Sequence, residues 1–424
     1  MEILNSIGTS GSTEFRRIDY VKITIFGLAI SALWGSLHSI VLPVRLLDFV
    51  AESEKNTYLG LITLAGLLLA MAVQPIAGAI SDRSSFGWGR RRPYILLGTI
   101  ATTLLISGIG LSGSYVAIFI IYCLLQVSAN TAQGPYQALI PDLVPEGKRG
   151  LASGVKSLLE IVGGLALVWL IFCSINYFTS EGNSWLWIVL GILATLLIAT
   201  MLITVTTVKE RPAPAVSQSP LLTTLYRSFQ IDVRKSGNFI LFLVSRLLFI
   251  MALTTLQSFA FYFIQDTVHV ANPTTATAGL LAVVGIGMAV AVYPAGRLSD
   301  RIGRKSILIA SGILGAMGIS ALFFAPSYEY TLFGGALQGI AAGAFMSSNW
   351  ALATDLVPKS EEARYLGLAN LATAGGAALA RLIGPVIDFF NSYSSGLGYQ
   401  VMLGVCFIYF IAGSALILKI KGWG

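Results

Sequence analysis

Gly78-Ala-Ile-Ser-Asp-Arg-Ser-Ser-Phe-Gly-Trp-Gly-Arg-Arg-Arg-Pro93 is a short charged segment set between two long apolar runs. A shorter copy, Gly-Arg-Leu-Ser-Asp-Arg-Ile-Gly-Arg-Lys, lies at 296–305. Both hold Ser-Asp-Arg, then a Gly followed by basic residues. Asp82 therefore answers Asp300, Arg83 answers Arg301, and Gly89 with Arg90 answers Gly303 with Arg304. A charged turn that recurs once in each half of an apolar chain reads as a duplicated hairpin between membrane spans, and this duplication decides the fold.

The surrounding composition agrees. The chain has 424 residues, 55% of them hydrophobic and 11% charged, with a mean hydropathy of +0.78. A soluble domain carries about 25% charge. Crossing a bilayer core of about 30 Å takes about 20 apolar helical residues, and twelve runs meet that need. They lie at about 20–50, 57–81, 93–112, 114–140, 150–174, 184–207, 237–266, 276–296, 304–325, 329–354, 363–387 and 398–419. Helices are required, because an open sheet edge leaves its backbone unsatisfied in lipid and the runs lack barrel-type alternation. Pro43, Pro75 and Pro135 fall inside spans, where bends are tolerated. The polar first fifteen residues lack the plan of a signal peptide, so the first span is expected to insert uncleaved.

Lys and Arg set the orientation. With both termini cytoplasmic, 22 of the 27 fall on that side, Arg45 and Lys55 fall outside, and Lys156, Arg246 and Arg381 lie within spans. The formal charge of +7 is thereby a topology signal and an attraction to an anionic inner leaflet, and it calls for no nucleic-acid partner. The Pro-rich polar stretch at 208–236 divides residues 1–207 from 237–424, six spans each. A second repeat supports the division: Ala138-Leu-Ile-Pro-Asp142-Leu-Val-Pro145 matches Ala351-Leu-Ala-Thr-Asp355-Leu-Val-Pro358.

A charged hairpin repeated once per half resembles the signature loop of the major facilitator superfamily. The resemblance implies an all-α membrane fold of twelve helices in two pseudo-symmetric six-helix bundles, with substrate held between the halves. It implies a plasma or inner-membrane transporter that is complete as a monomer. It also implies a cytoplasmic gate built from Asp82, Arg83, Arg90, Arg91, Asp300, Arg301 and Arg304. Asp142 with Arg149 is similar to the acidic-then-arginine element of sugar porters, and Asp355 is its counterpart. Exposed pairs of this kind are worth about 0–1 kcal/mol each, weak enough to break in every cycle.

Gln126, Asn130, Gln133 and Gln137 recur at helical spacing on one face of the fourth span. A row of amides both donates and accepts, which suits sugar hydroxyls, so the row is expected to line the substrate path; the alternative is helix-to-helix bonding. The run Ala129-Asn-Thr-Ala-Gln-Gly-Pro-Tyr-Gln-Ala-Leu-Ile-Pro-Asp-Leu143 resembles the fourth-helix signature of the sucrose-proton symporters, a family related to the glycoside and hexuronide cation symporters. Gly89-Arg-Arg-Arg-Pro93 is similar to the same family. Plant members carry an Asp four residues before the Asn, associated with proton coupling. This chain has Gln126 there, which cannot titrate.

A proton carrier must then lie elsewhere. Glu160 is the carboxylate well inside a span, with Lys156 one turn earlier on the same face. The two form either a tuned proton carrier or a static ion pair. Arg246 and Arg381 are the other deep charges, fit to hold an anionic substrate, to pair with Glu160, or to bond backbone carbonyls. His38 is a candidate substrate contact or an interface histidine. Trp34, Tyr136 and Trp350 are candidate sugar-stacking rings or packing residues.

Cys123, Cys173 and Cys406 show no ligand spacing, so neither a metal nor a disulfide framework is expected. No Gly-Lys-Ser/Thr phosphate loop and no catalytic constellation are present, and no cofactor is expected. The leading expectation is proton-coupled symport of a disaccharide or glycoside such as sucrose or maltose. The alternatives are a proton-linked exporter of amphipathic drugs and, from another class, a non-transporting sensor or assembly factor of the same fold.

Overall fold

The structure, a computed structural model, describes residues 16–145, 148–178, 184–210, 237–356 and 362–420. Most of the predicted linker, 211–236, lies outside the described residues, as does the side chain of Cys173. The described residues form twelve helical rods: α1 (Arg17–Leu46), α2 (Lys55–Asp82), α3 (Arg92–Leu111), α4 (Tyr115–Leu143), α5 (Arg149–Phe178), α6 (Ser184–Thr207), α7 (Gly237–Val268), α8 (Pro273–Ile302), α9 (Arg304–Phe323), α10 (Tyr328–Asp355), α11 (362–391) and α12 (Leu397–Leu418). Among the described residues, ten of these rods are long and apolar enough to cross a membrane; α5 and α10, of 30 and 28 residues, are as long but are not among the ten.

Apolar residues make these rods because only an intrahelical ladder satisfies the backbone without water, and local signals trim their ends. Ser114 accepts from the Ala117 amide at 3.2 Å to start α4. Asn272 accepts from Thr275 at 3.1 Å to start α8, with Pro273 at the first helical position. Proline leaves its mark in two rods. Just before Pro43, α1 widens to a π turn at Leu37–Val41, and α4 breaks at Ala138 after Pro135. In α11 the helix tightens to a 3-10 turn at Ala380–Leu382, which carries Arg381.

The rods pack as two six-helix bundles. On the perimeter, Leu97, Leu104 and Leu111 of α3 repeat every seventh residue and are 65%, 71% and 73% exposed, a stripe suited to acyl chains. Each charged turn holds a glycine of positive φ, Gly89 at 134° and Gly303 at 93°, a region that a side chain strongly disfavours. The two bundles meet through α1 with α7, α5 with α8, and α2 with α11. In the last of these, a Cβ on Gly60 would lie 2.4 Å from the Arg381 carbonyl oxygen, so the two backbones touch.

Candidate functional site

A cavity of about 480 Å³ lies between the bundles, within the range of about 300–1,000 Å³ that holds small ligands. Its wall is mainly Leu, Ile, Val, Met and Ala, contributed by α1, α5, α7, α8 and α10 with smaller pieces of α9 and α12. Its polar groups are Ser31, Ser39, Ser157, Glu160, Gln257 and Gln338. Two of these keep unused hydrogen-bonding capacity: Ser39 Oγ in one bundle and Gln338 Oε1 in the other are buried and have no partner. Such atoms are costly against protein alone. Neither atom has surface that a ligand in the cavity could reach.

Glu160 faces this cavity and lies 3.5 Å from Lys156 Nζ. Lys156 also stands over the Tyr136 ring, 5.9 Å from its centroid, while the Tyr136 hydroxyl donates to the Thr24 carbonyl at 2.8 Å. Tyr136 is therefore a buried brace between α1 and α4 and not an open stacking surface.

The amide row of α4 does not line this cavity. Gln126 and Asn130 are buried and bond each other: Asn130 Nδ2 donates to the Gln126 side-chain oxygen at 3.1 Å and to its carbonyl at 2.8 Å. Gln126 Nε2 donates to the Tyr122 hydroxyl at 2.7 Å, which meets His38 Nε2 at 2.7 Å. The physical reason is close packing. Gly66 of α2 lies so near that a Cβ there would fall 2.3 Å from the Tyr122 ring and 2.9 Å from Gln126 Cγ, leaving no gap for a ligand. Gln133 accepts from the Trp34 indole at 3.3 Å, and Gln137, exposed, accepts from Gln74 at 2.8 Å. Trp34 is stacked on His38, with centroids 5.3 Å apart.

In the other bundle, Arg246 donates through Nε to Thr373 at 2.8 Å and through a terminal nitrogen to Asn349, and its guanidinium lies 5.2 Å from the centre of the Trp350 ring. Arg381 donates to the Thr254 carbonyl at 3.2 Å, and its Nε has no partner. Among the described residues, neither arginine is ion-paired with Glu160.

Looking from the end where α1 begins, the far ends of the bundles are tied together. Lys55 at the start of α2 pairs with Asp266 of α7 at 2.7 Å. Asp388 of α11 accepts from Asn56 at 2.8 Å and from the Thr57 amide at 2.6 Å. Tyr399 joins the two groups, donating to Asp266 at 2.6 Å and accepting from Asn56 at 3.2 Å. Tyr262 adds a bond to the Pro43 carbonyl at 2.9 Å. At the opposite end, where the charged turns lie, no described ion pair crosses between bundles.

Residues 34–420 match the family described as MFS/sugar transport protein. The chain belongs to this MFS/sugar transport family. The expected major-facilitator fold is thereby met. A 148-residue stretch is 30% identical to sucrose transport protein SUC4 of Arabidopsis thaliana, covering 31% of this chain and 27% of that one. A 133-residue stretch is 27% identical to the minor myo-inositol transporter IolF of Bacillus subtilis (strain 168), covering 31% and 30%. The matched segments thus span less than a third of these curated relatives. Among solved structures, a variant of the nucleoside transporter NupG superposes with a TM-score of 0.74 at 14% identity, over 95% of this chain and 100% of that one, a likeness of fold.

The family's charged turns are latched within each bundle. Arg90 pairs with Asp142 at 2.8 Å, and its repeat partner Arg304 pairs with Asp355, the repeat of Asp142. Arg91, almost wholly buried, bonds Asp142 at 3.0 Å and Ser81 at 2.6 Å and pairs with Asp82. Arg149 caps carbonyls at the end of α4, reaching Pro141 at 2.8 Å and Val144 at 3.1 Å. Arg83, Asp300 and Arg301 are exposed. Sequence reasoning missed Glu210, whose carboxylate accepts from the backbone amides of Arg90, Arg91 and Arg92 at 2.8, 2.9 and 3.0 Å, capping the start of α3. Its position three residues past α6 was the available signal. Also missed was the cluster of Lys55 with Asp266 and Asp388: Lys55 read as a topology charge alone, and the two carboxylates, single charges at span ends, drew no reading.

Proposed function

We propose that this protein is a proton-coupled sugar symporter that works by alternating access, seated in the plasma or inner membrane with both termini in the cytoplasm and functional as a monomer. The observation that carries the reading is the cavity between bundles, where Glu160, Ser31, Ser157 and Gln257 interrupt an apolar wall. A sugar offers apolar ring faces to such a wall and hydroxyls to such groups. The relatives named for sucrose and myo-inositol transport point to the same class of ligand, with sucrose or maltose the first candidates.

Glu160 is the proton carrier in this reading. Carrying the proton frees Lys156, and losing it restores the pair. The 22 basic residues on the terminus side support cytoplasmic termini. The shut far wall then makes this an inward-facing state, with Lys55, Asp266 and Asp388 as the outer gate. Asp82, Arg90, Arg91, Asp142, Arg149, Arg304 and Asp355, with the exposed Arg83, Asp300 and Arg301, make up the cytoplasmic gate. Trp34, His38 and Gln133, joined by stacking and a hydrogen bond, stiffen the α1 wall behind the substrate. Gln126, Asn130 and Gln137 serve helix packing.

Uptake of labelled sucrose and maltose into proteoliposomes, with and without a pH gradient, tests this. Gradient-driven accumulation is expected. Absence of any sugar uptake overturns the reading, and uptake indifferent to the gradient reduces the protein to a facilitator. The apolar wall also favours a second reading, proton-linked export of amphipathic compounds. In that case such compounds move against a gradient and sugars do not.

A further inference from the structure

We propose that Arg246 and Asn349, backed by the Trp350 ring, form a subsite for an anionic group, a carboxylate or phosphate borne by the transported sugar. The proposal rests on the sugar-transport reading above and adds to it a preference for charged over neutral sugars.

The two residues hold more donors than the protein satisfies. Arg246 is 8% exposed, and its bonds to Thr373 and Asn349 occupy Nε and one terminal nitrogen. The second terminal nitrogen makes no hydrogen bond among the described residues. Asn349 is 2% exposed and turns its amide oxygen to Arg246, while its Nδ2 is buried with no acceptor. Rotating that amide by a half-turn does not help, because a guanidinium has no acceptor to offer an NH₂ group. Arginine and amide therefore keep unused N–H groups on either side of the bond they share, and that of Asn349 becomes reachable only when the side chains shift. Among the described residues, no carboxylate contacts them.

The cluster does not itself line the cavity but stands beside it. Ala342 and Met346 line the cavity, and Trp350 follows one turn further along α10, 41% exposed, with the guanidinium on its face. Arg381 makes an instructive contrast. It too is a buried guanidinium with an unused nitrogen, but it sits at the contact of α2 with α11, where the two backbones touch at Gly60. Glu160, the carboxylate that faces the cavity, is held by Lys156 on α5. A buried guanidinium with no counter-charge is costly. A carboxylate or phosphate relieves that cost with charge-assisted bonds that a neutral hydroxyl cannot match.

Calorimetry on the full chain in nanodiscs tests this with matched ligands: glucose, gluconate, glucuronate, glucose 6-phosphate, maltose, maltobionate and inorganic phosphate. At least one charged sugar is expected to bind about tenfold or more tightly than its neutral parent, and the carboxylate and phosphate arms separate the two chemistries. In Arg246→Gln that ratio falls to about one. It falls likewise in Asn349→Asp, which puts a carboxylate beside the guanidinium and so tests occupancy without removing a partner.

Neutral sugars binding as tightly as every charged one would overturn this inference and leave the transport reading standing. So would a preference that survives both variants, or inorganic phosphate binding as tightly as the charged sugars. Failure of every sugar, neutral or charged, to bind would overturn both.

Discussion

Glu160 and Glu210 are both carboxylates near the terminus-side half of the molecule, and their surroundings give them opposite tasks. Glu160 touches one cation at 3.5 Å and borders open space, so its partner can be released. We expect Glu160→Gln to abolish pH-driven accumulation of sugar in proteoliposomes while leaving sugar counterflow intact, since exchange needs no net proton movement. Unchanged accumulation would remove Glu160 from coupling. Glu210 instead accepts three backbone amides at the start of α3 and has no slack. Hydrogen bonds to a charged group are worth about 1.5–3 kcal/mol each in favourable settings. Glu210→Ala should therefore lower the thermal midpoint of the purified protein by several degrees, and an unchanged midpoint would mean that the cap contributes nothing.

At the scale of single elements, the far wall depends on α2 meeting α11 and α7. Lys55 is 2% exposed in its pair with Asp266, and breaking such a buried pair costs about 3–5 kcal/mol. The loss falls on the closed wall alone, so even about 3 kcal/mol shifts the balance toward an open wall on the order of a hundredfold. Lys55→Ala should make a cysteine placed at Ser39, fully buried here, react faster with an impermeant maleimide added from the far side. Gly60→Val should do the same by steric means, because its Cβ would meet backbone at 2.4 Å. A labelling rate unchanged in both variants would show that these contacts do not hold the wall.

The elements also show what the sequence could and could not disclose. The correspondence of Arg90 with Arg304 and of Asp142 with Asp355 was legible because duplication repeats them, but that each Arg pairs with the Asp of its own half was not. The amide row of α4 was legible as a face, since helical spacing is a local property. What that face meets is not local. It depends on Gly66 of α2 letting Tyr122 and Gln126 close up, so an expected lining became packing. The far wall joins Lys55, Asp266, Asp388 and Tyr399 from four helices, and no spacing in the chain connects them.

In the whole molecule, two bundles enclose a cavity, are tied by polar bonds at the far end, and have no described ion pair between them at the terminus end. An alternating-access cycle requires that this asymmetry reverse. Double electron–electron resonance on proteoliposomes measures this directly, with one label pair at Ser53 and Ala271 on the far side and another at Ser85 and Ile302 on the terminus side. When sugar and a pH gradient are applied, the far pair should lengthen as the terminus pair shortens. Distances that stay fixed, or that change together in the same direction, would contradict the account.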